Sequence, residues 1–318
     1  MSVPDQYSFI RYLGAKKAID DVALNRRVLE RLAEILKELQ SRSIVRVLEV
    51  GCGIGTMVDR MLDGGILRRA SYTGIDVDPD TLAEAKKRLR SHADERGFQT
   101  LEQPDGLLYL HRANEEFTLK LVASDLFDFI DSKGGNGAYD LIVAHAFLDL
   151  VDLDSALPLL CSAARPEGLL YFTLNFDGAT IFEPQIDPVL DKQIETLYHQ
   201  DMDLRGCGAK LSQMSRTGRR LLAYLSSAGA PILATGSSDW IVLPGPAGYS
   251  SDEIYFLHFI IETIRAALAG KPGLERAAFA DWIAQRHEQV EQRKLIYIAH
   301  QLDVLAQVPS QGLSSCGL

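Results

Sequence analysis

Apolar positions along this chain recur with two periods. Short runs rich in β-branched residues end in turn residues: IVRVLEV (44–50), SYTGIDV (71–77), FTLKLVA (117–123), YDLIVA (139–144) and GLLYFTL (168–174). They predict five strands. Val28, Leu32, Ile35, Leu36 and Leu39 share one face at helical spacing and predict a helix over roughly 20–40. Asp78 predicts a helix cap, with Pro79 at the first position, where a missing N–H has no partner to lose. Further helices are predicted around 155–164 and over 217–228, the latter closed by Gly229. WIVL (240–243) and KLIYIA (294–299) read as later strands. Strands alternating with helices predict an α/β fold, a doubly wound and mostly parallel seven-stranded sheet. Ligands of such sheets sit at the carboxyl ends of the strands.

Two regions break the alternation and predict helical cap insertions at about 177–216 and 245–293. The first reads as a loop followed by an amphipathic helix. The second holds two helices, of which DEIYFLHFIIETIRAALAG is apolar nearly all round. That breadth fits simple burial, and it equally fits a cap whose inner face lines a pocket. The preceding arm, YSFIRYLGAKKAIDDVALN, carries Tyr7, Phe9, Arg11 and Tyr12 and reads as a surface segment anchored by aromatics. The chain divides into an N-terminal segment (1–40), one domain (41–306) and a tail (307–318).

Composition narrows the partners. With 33 basic and 43 acidic residues, the net charge of -10 argues against non-specific nucleic-acid binding, which needs a positive footprint. The four cysteines, Cys52, Cys161, Cys207 and Cys316, have no CxxC spacing and read as reduced thiols. MSVPDQYSFI lacks the basic region and apolar core of a leader. The apolar run IYFLHFII is far shorter than a membrane span. A cytoplasmic location away from membranes is expected, with a homodimer left open.

The sharpest chemistry lies in VLEVGCGIGT. Glu49 closes a strand, and Gly51, Gly53 and Gly55 follow before a helix begins. A dinucleotide turn prefers GxGxxG, but the sixth position here is Thr56, and a pyrophosphate would be repelled by Glu49. Both features disfavour a nicotinamide-dependent oxidoreductase. An acid beside the turn instead attracts a ligand with an ammonium and a sulfonium, and S-adenosylmethionine has both. Asp76 ends the second strand where an acid would meet ribose hydroxyls, and Asp125 follows the third strand, placed for an adenine amino group.

These segments resemble the class I S-adenosylmethionine-dependent methyltransferases. VLEVGCGIGT is similar to their first motif, YTGIDVDPDTLAEAKKRL to the second strand and helix, and VASDLFDF to the adenine-contacting segment. YDLIVAHAFLDL resembles the fourth-strand motif and ARPEGLLYFTL the fifth strand. The resemblance implies that Glu49, Gly51, Cys52, Gly53 and Gly55 hold the methionine portion. Asp76 would take the ribose, with Val77 beside the adenine, which Ser124, Asp125 and Leu126 would frame. Ala144 and His145 would flank the transferring methyl. His145 is the candidate general base, or else a packing residue. An N-terminal segment closing over the cofactor would bring Tyr12 and Arg11 to the substrate. Asn175 and Asp177 are expected at the pocket mouth, whereas His199, His258 and His300 read as structural. No cluster has convincing metal spacing. The expected activity is methyl transfer to an O, N or C atom of a small molecule. A protein methyltransferase and a non-catalytic S-adenosylmethionine-binding assembly protein are the alternatives.

Overall fold

The computed structural model describes residues 7–133, 137–205 and 213–310. Cys207, Cys316 and the tail beyond 310 lie outside them. Two helices open the chain where one was expected. The helix α1 (Phe9–Ala23) is capped by Ser8, and α2 (Arg26–Gln40) by Asn25. The buried face of α1 is Tyr12, Ala15, Lys16, Ile19 and Asp20. This is the i, i+3, i+4, i+7, i+8 set of an inward-facing helix. Two of its five members are charged, which hides the stripe from an apolar count.

The sheet has ten strands rather than seven. The parallel core is β5 (Glu115–Ala123), β2 (Arg69–Asp76), β1 (Val45–Val50), β6 (Tyr139–His145) and β7 (Ala164–Glu183), side by side in that order. A hairpin of β3 (Gln99–Glu102) and β4 (Leu108–Arg112) extends the edge beside β5. Its PDG turn (104–106) was its signature in the sequence. At the far edge, β10 (Ile296–Gln307) runs antiparallel to both β7 and β8 (Ile232–Ser237), and β9 (Trp240–Val242) pairs with its first half.

Helices cover both faces. Side chains of α2, α3 (Thr56–Asp63) and α4 (Pro79–Glu95) form one core against the sheet. Those of α5 (Leu126–Lys133), α6 (Leu153–Ala163) and α8 (Thr217–Ser227) form the other. A third core joins α1, α7 (Pro188–Asp203), α9 (Ser251–Leu268) and α10 (Arg276–Glu291) above the carboxyl ends of the parallel strands. The fifth parallel strand does not stop at Leu174. It continues to Glu183, pairing Phe176 with Gln301 and Glu183 with Ile296. Leu174 takes a left-handed φ of 55°, and the opposite ladder is irregular between Leu302 and Val304. Asn175, a turn-forming residue by its sequence context, donates from its side chain to the Leu302 carbonyl at 2.8 Å. The strands thus extend past the parallel ends as an antiparallel flap that carries the cap. No helix among the described residues is long and apolar enough to cross a membrane.

Candidate active site

The loop after β1 is tied to the end of β2. Cys52 N–H donates to the Ile75 carbonyl at 2.9 Å, and Gly53 N–H to Asp76 Oδ2 at 2.9 Å. Asp76 Oδ1 also accepts the Asp78 N–H at 3.1 Å. One carboxylate therefore fixes both strand ends. Gly51 has φ 63°, and a Cβ there would lie 2.3 Å from the Phe147 ring. Gly51→Ala is expected to lower stability by about 1–3 kcal/mol, from left-handed strain and ring displacement. Gly97→Ala isolates the strain: its φ is 75° and an added Cβ meets nothing within 4 Å. Urea unfolding of the two variants checks this, and equal losses would remove the steric part of the explanation.

Glu49 is buried at 2% exposure on the sheet face that also carries Tyr72, whose hydroxyl donates to Glu49 Oε2 at 2.8 Å. Burial pushes the Glu49 carboxyl up to about 8, against the opposing effects of the Tyr72 hydrogen bond and the Arg60 charge.

His145 ends β6 inside a buried polar hub. Its Nε2 lies 3.0 Å from Arg60 Nη1 and 3.1 Å from Asp20 Oδ2, and its Nδ1 lies 2.8 Å from Thr173 Oγ1. Nε2 therefore meets a permanent donor, Arg60, and an ionised acceptor, Asp20. Burial, then the Arg60 charge, lower the imidazole to about 4. Asp20 also accepts Lys16 Nζ at 2.6 Å and Trp240 Nε1–H at 2.9 Å. Burial raises the Asp20 carboxyl, but Lys16, His145 and Arg60 outweigh it and hold the group well below the usual carboxylate range. Arg60 Nε further donates to Asp21 at 2.5 Å. The hub fastens α1 to α3, β6 and β9.

A cavity of about 480 Å³ lies between the strand ends and the cap. Its floor includes Glu49, Gly51, Cys52, Gly53, Asp76, Val77, Ser124, Asp125, Leu126 and His145, and its roof includes Tyr12, Tyr198, Met202 and Ile260. Asp125 doubles as a cap, accepting the Asp128 N–H at 2.9 Å. Three expected site residues are not among the lining. Gly55 is the N-cap of α3, with φ 77°. Ala144 is fully buried within β6, opposite Val50 and Phe172. Arg11 points to the surface, where it pairs with Asp252 at 2.5 Å and lies over the Tyr255 ring.

Asn175 and Asp177 are also away from the cavity, Asp177 being held by Arg219 at 2.8 Å. His199 bonds Thr180 at 3.0 Å, His258 meets His287 at 2.7 Å, and His300 meets Asp239 at 2.8 Å. Among the described residues no group of three or more His, Cys, Asp or Glu could hold a metal ion. Sequence reasoning missed Lys16, Asp20, Arg60, Asp149 and Trp240. The helical spacing of Lys16 and Asp20 with Tyr12 and Ile19 was the available signal for the first two.

Residues 48–170 match a family model described as a methyltransferase domain. No curated protein matches the chain. Among solved structures, the chain is similar to the YcgJ protein from Bacillus subtilis, with 13% identity, 89% of this chain and 99% of that chain covered, and a TM-score of 0.47. It is similar to the cyclase SpnF at 19% identity, covering 88% and 81%, with a TM-score of 0.41. The third is geranyl diphosphate C-methyltransferase from Streptomyces coelicolor A3(2), solved with Mg2+, geranyl diphosphate and S-adenosyl-L-homocysteine. There the identity is 11%, the coverage 86% and 77%, and the TM-score 0.40.

Proposed function

We propose that this chain, whose residues 48–170 match a methyltransferase domain, is a class I S-adenosylmethionine-dependent enzyme that methylates a small molecule enclosed in the cavity. The observation that carries the finer reading is the roof. Tyr12 stacks on Phe259 with ring centroids 3.9 Å apart, bringing α1 onto α9 above the floor residues. A covered cavity of this size suits a compact acceptor better than a protein surface.

The residues present fit the cofactor. Gly51 leaves a cradle that a Cβ would fill, and Glu49 is a buried acid whose hydrogen bond comes from a neutral Tyr72 hydroxyl. When bound, S-adenosylmethionine supplies a methyl group already activated on a sulfonium. In this reading Glu49 faces the ammonium, Asp76 takes the ribose hydroxyls, and Val77, Ser124, Asp125 and Leu126 frame the adenine. Cys52, Gly53 and His145 shape the wall beside the methionine portion, and Tyr12 closes the site from above. Gly55 and Ala144 contribute through backbone shape alone, and Arg11 acts indirectly by pinning α1 to α9. Holding the acceptor in line with the methyl and excluding water is most of the catalysis, worth roughly 7–11 kcal/mol in favourable cases. The test is a thermal shift with S-adenosylhomocysteine, followed by a screen of small hydroxyl, amine and carbon acceptors against unfolded and folded protein acceptors. Methylation confined to the proteins would overturn the small-molecule reading.

Glu49 gives this reading a proton signature. Its carboxyl is raised from an ordinary 4.5 to about 8. Between those values the folded chain holds a proton that the unfolded chain has released, so unliganded stability falls as pH rises through the window. An ammonium beside Glu49 reverses its preference and expels that proton. Calorimetric titration with S-adenosylmethionine at pH 7, in buffers of different ionisation enthalpy, should report release of about one proton. Glu49→Gln should report none. Zero release in the wild type would place the ammonium elsewhere.

A further inference from the structure

Asp149 has no part in the cofactor roles above. It stands on a single 3-10 turn, Leu148–Leu150, just past β6, and lines the cavity. Its Oδ1 is sealed from solvent and accepts no hydrogen bond among the described residues. Gln301, on β10, lines the same cavity at 2% exposure, and its Oε1 is likewise sealed and unpartnered. A buried acceptor without a donor is costly to leave unmatched. Two residues that line one cavity each carry such an oxygen, which calls for an entering group that donates hydrogen bonds. The walls around them include Tyr12, Phe176, Tyr198, Trp240 and Tyr297.

Among the described residues lining the cavity, the other candidate proton acceptors are engaged in caps, the hub or the cofactor roles above. Both ring nitrogens of His145 are engaged within the hub. Lys16 is bound to Asp20 at 2.6 Å, and Arg205 to Asp201 at 3.1 Å. The charged groups acting on Asp149 are these two, Lys16 from α1 and Arg205 just past α7, and the phenols of Tyr12 and Tyr198 lie near it. Burial pushes the Asp149 carboxyl up to about 6, against a bond from its own backbone N–H and those two cations. A carboxylate there is ionised at neutral pH yet basic enough to take a proton.

We propose that Asp149 is the catalytic base, and that the methyl acceptor is a hydroxyl or amine whose proton it takes while Gln301 helps hold the donor. The proposal rests on the methyltransferase reading. In the step, the acceptor's X–H bond breaks and its proton passes to the Asp149 carboxylate. The freed electron pair would form the bond to the methyl carbon of bound S-adenosylmethionine, whose sulfur would leave as a neutral thioether. Asp149 then returns the proton to water.

The experiment begins with calorimetric binding of S-adenosylhomocysteine to the wild type. No binding would sink the methyltransferase reading itself. With that ligand saturating, phenol is compared with anisole and benzylamine with ethylbenzene by NMR titration. At least one donor probe should bind about tenfold or more tightly than its donor-free counterpart. Asp149→Leu and Gln301→Leu should each erase most of that preference, and the two probe pairs separate a hydroxyl site from an amine site. Asp149→Asn, which keeps the shape, should bind the preferred probe within a few-fold. It should cut methylation of that probe by about 10²-fold or more and abolish the wild-type rate decline below pH 6. A cavity that binds S-adenosylhomocysteine but shows no donor preference would overturn the proposal. So would a preference that survives Asp149→Leu, or full turnover in Asp149→Asn.

Discussion

Asp76→Ala should weaken S-adenosylhomocysteine binding by about 10²-fold or more while leaving the fold intact. In the proposed role the carboxylate accepts hydrogen bonds from both ribose hydroxyls, and bonds to a charged group contribute about 1.5–3 kcal/mol each. The same side chain accepts the Gly53 and Asp78 N–H groups at 2.9 and 3.1 Å, so its loss also loosens the loop that holds the methionine portion. Asp76→Asn keeps an acceptor on one side and should fall between wild type and alanine. Calorimetry on the folded variants reads the effect directly. A loss below threefold in Asp76→Ala would remove the ribose assignment.

Asp20→Ala should have the largest effect on stability, about 3–5 kcal/mol, because it breaks a buried charge network from its centre. Lys16 and Arg60 would keep their charges inside the protein without that partner, and the Trp240 Nε1–H would lose its acceptor. The pH dependence follows from the direction of the shift. The Asp20 carboxyl is lowered from 3.8, so its contribution is present above that value and is lost as pH falls below it. Acid unfolding of the wild type should therefore be steeper below pH 4 than that of Asp20→Asn. Asp21→Ala is the contrast: its side chain is 39% exposed, and its loss should cost about 1 kcal/mol or less. Chemical denaturation of the variants decides the matter, and equal losses at positions 20 and 21 would show that the hub does not anchor the cap.

The five parallel strands and the glycine turn were legible because they depend on local signals. Val45–Val50 is apolar apart from Arg46 and Glu49, its end is marked by glycines, and its register follows from burial on both faces. The cap was legible only as inserted helix. Its inner surface is written partly in charged residues, so Lys16 and Asp20 looked like a solvated face until Trp240, His145 and Arg60 were seen to meet them. Strand five was cut short in the reading because Asn175, Asp177 and Gly178 resemble a turn. In the structure Asn175 and Asp177 lie within β7, and the Asn175 amide serves the ladder with β10. Arg11 was expected at the substrate with Tyr12 because the N-terminal segment was expected to close over the cofactor, but adjacent residues on a helix point in different directions. Asp149 was inside a recognised segment, yet nothing in the sequence said that its oxygen would be left unpartnered.

The stacking of Tyr12 on Phe259 has a consequence in time. The two residues are 247 positions apart, and Ser8 is held by Tyr255 across the same gap. At about 5–20 residues per second, synthesis needs roughly 12–50 s to deliver the second partner after the first. The floor strands complete their pairing earlier, since β1, β2, β5, β6 and β7 all lie within residues 45–183. The helix α1 thus waits for its partner long after it is made. Until α9 emerges, that helix carries an exposed aromatic pair and an unsheltered lysine–aspartate couple, and the nascent chain holds the floor of the cavity before it holds the roof.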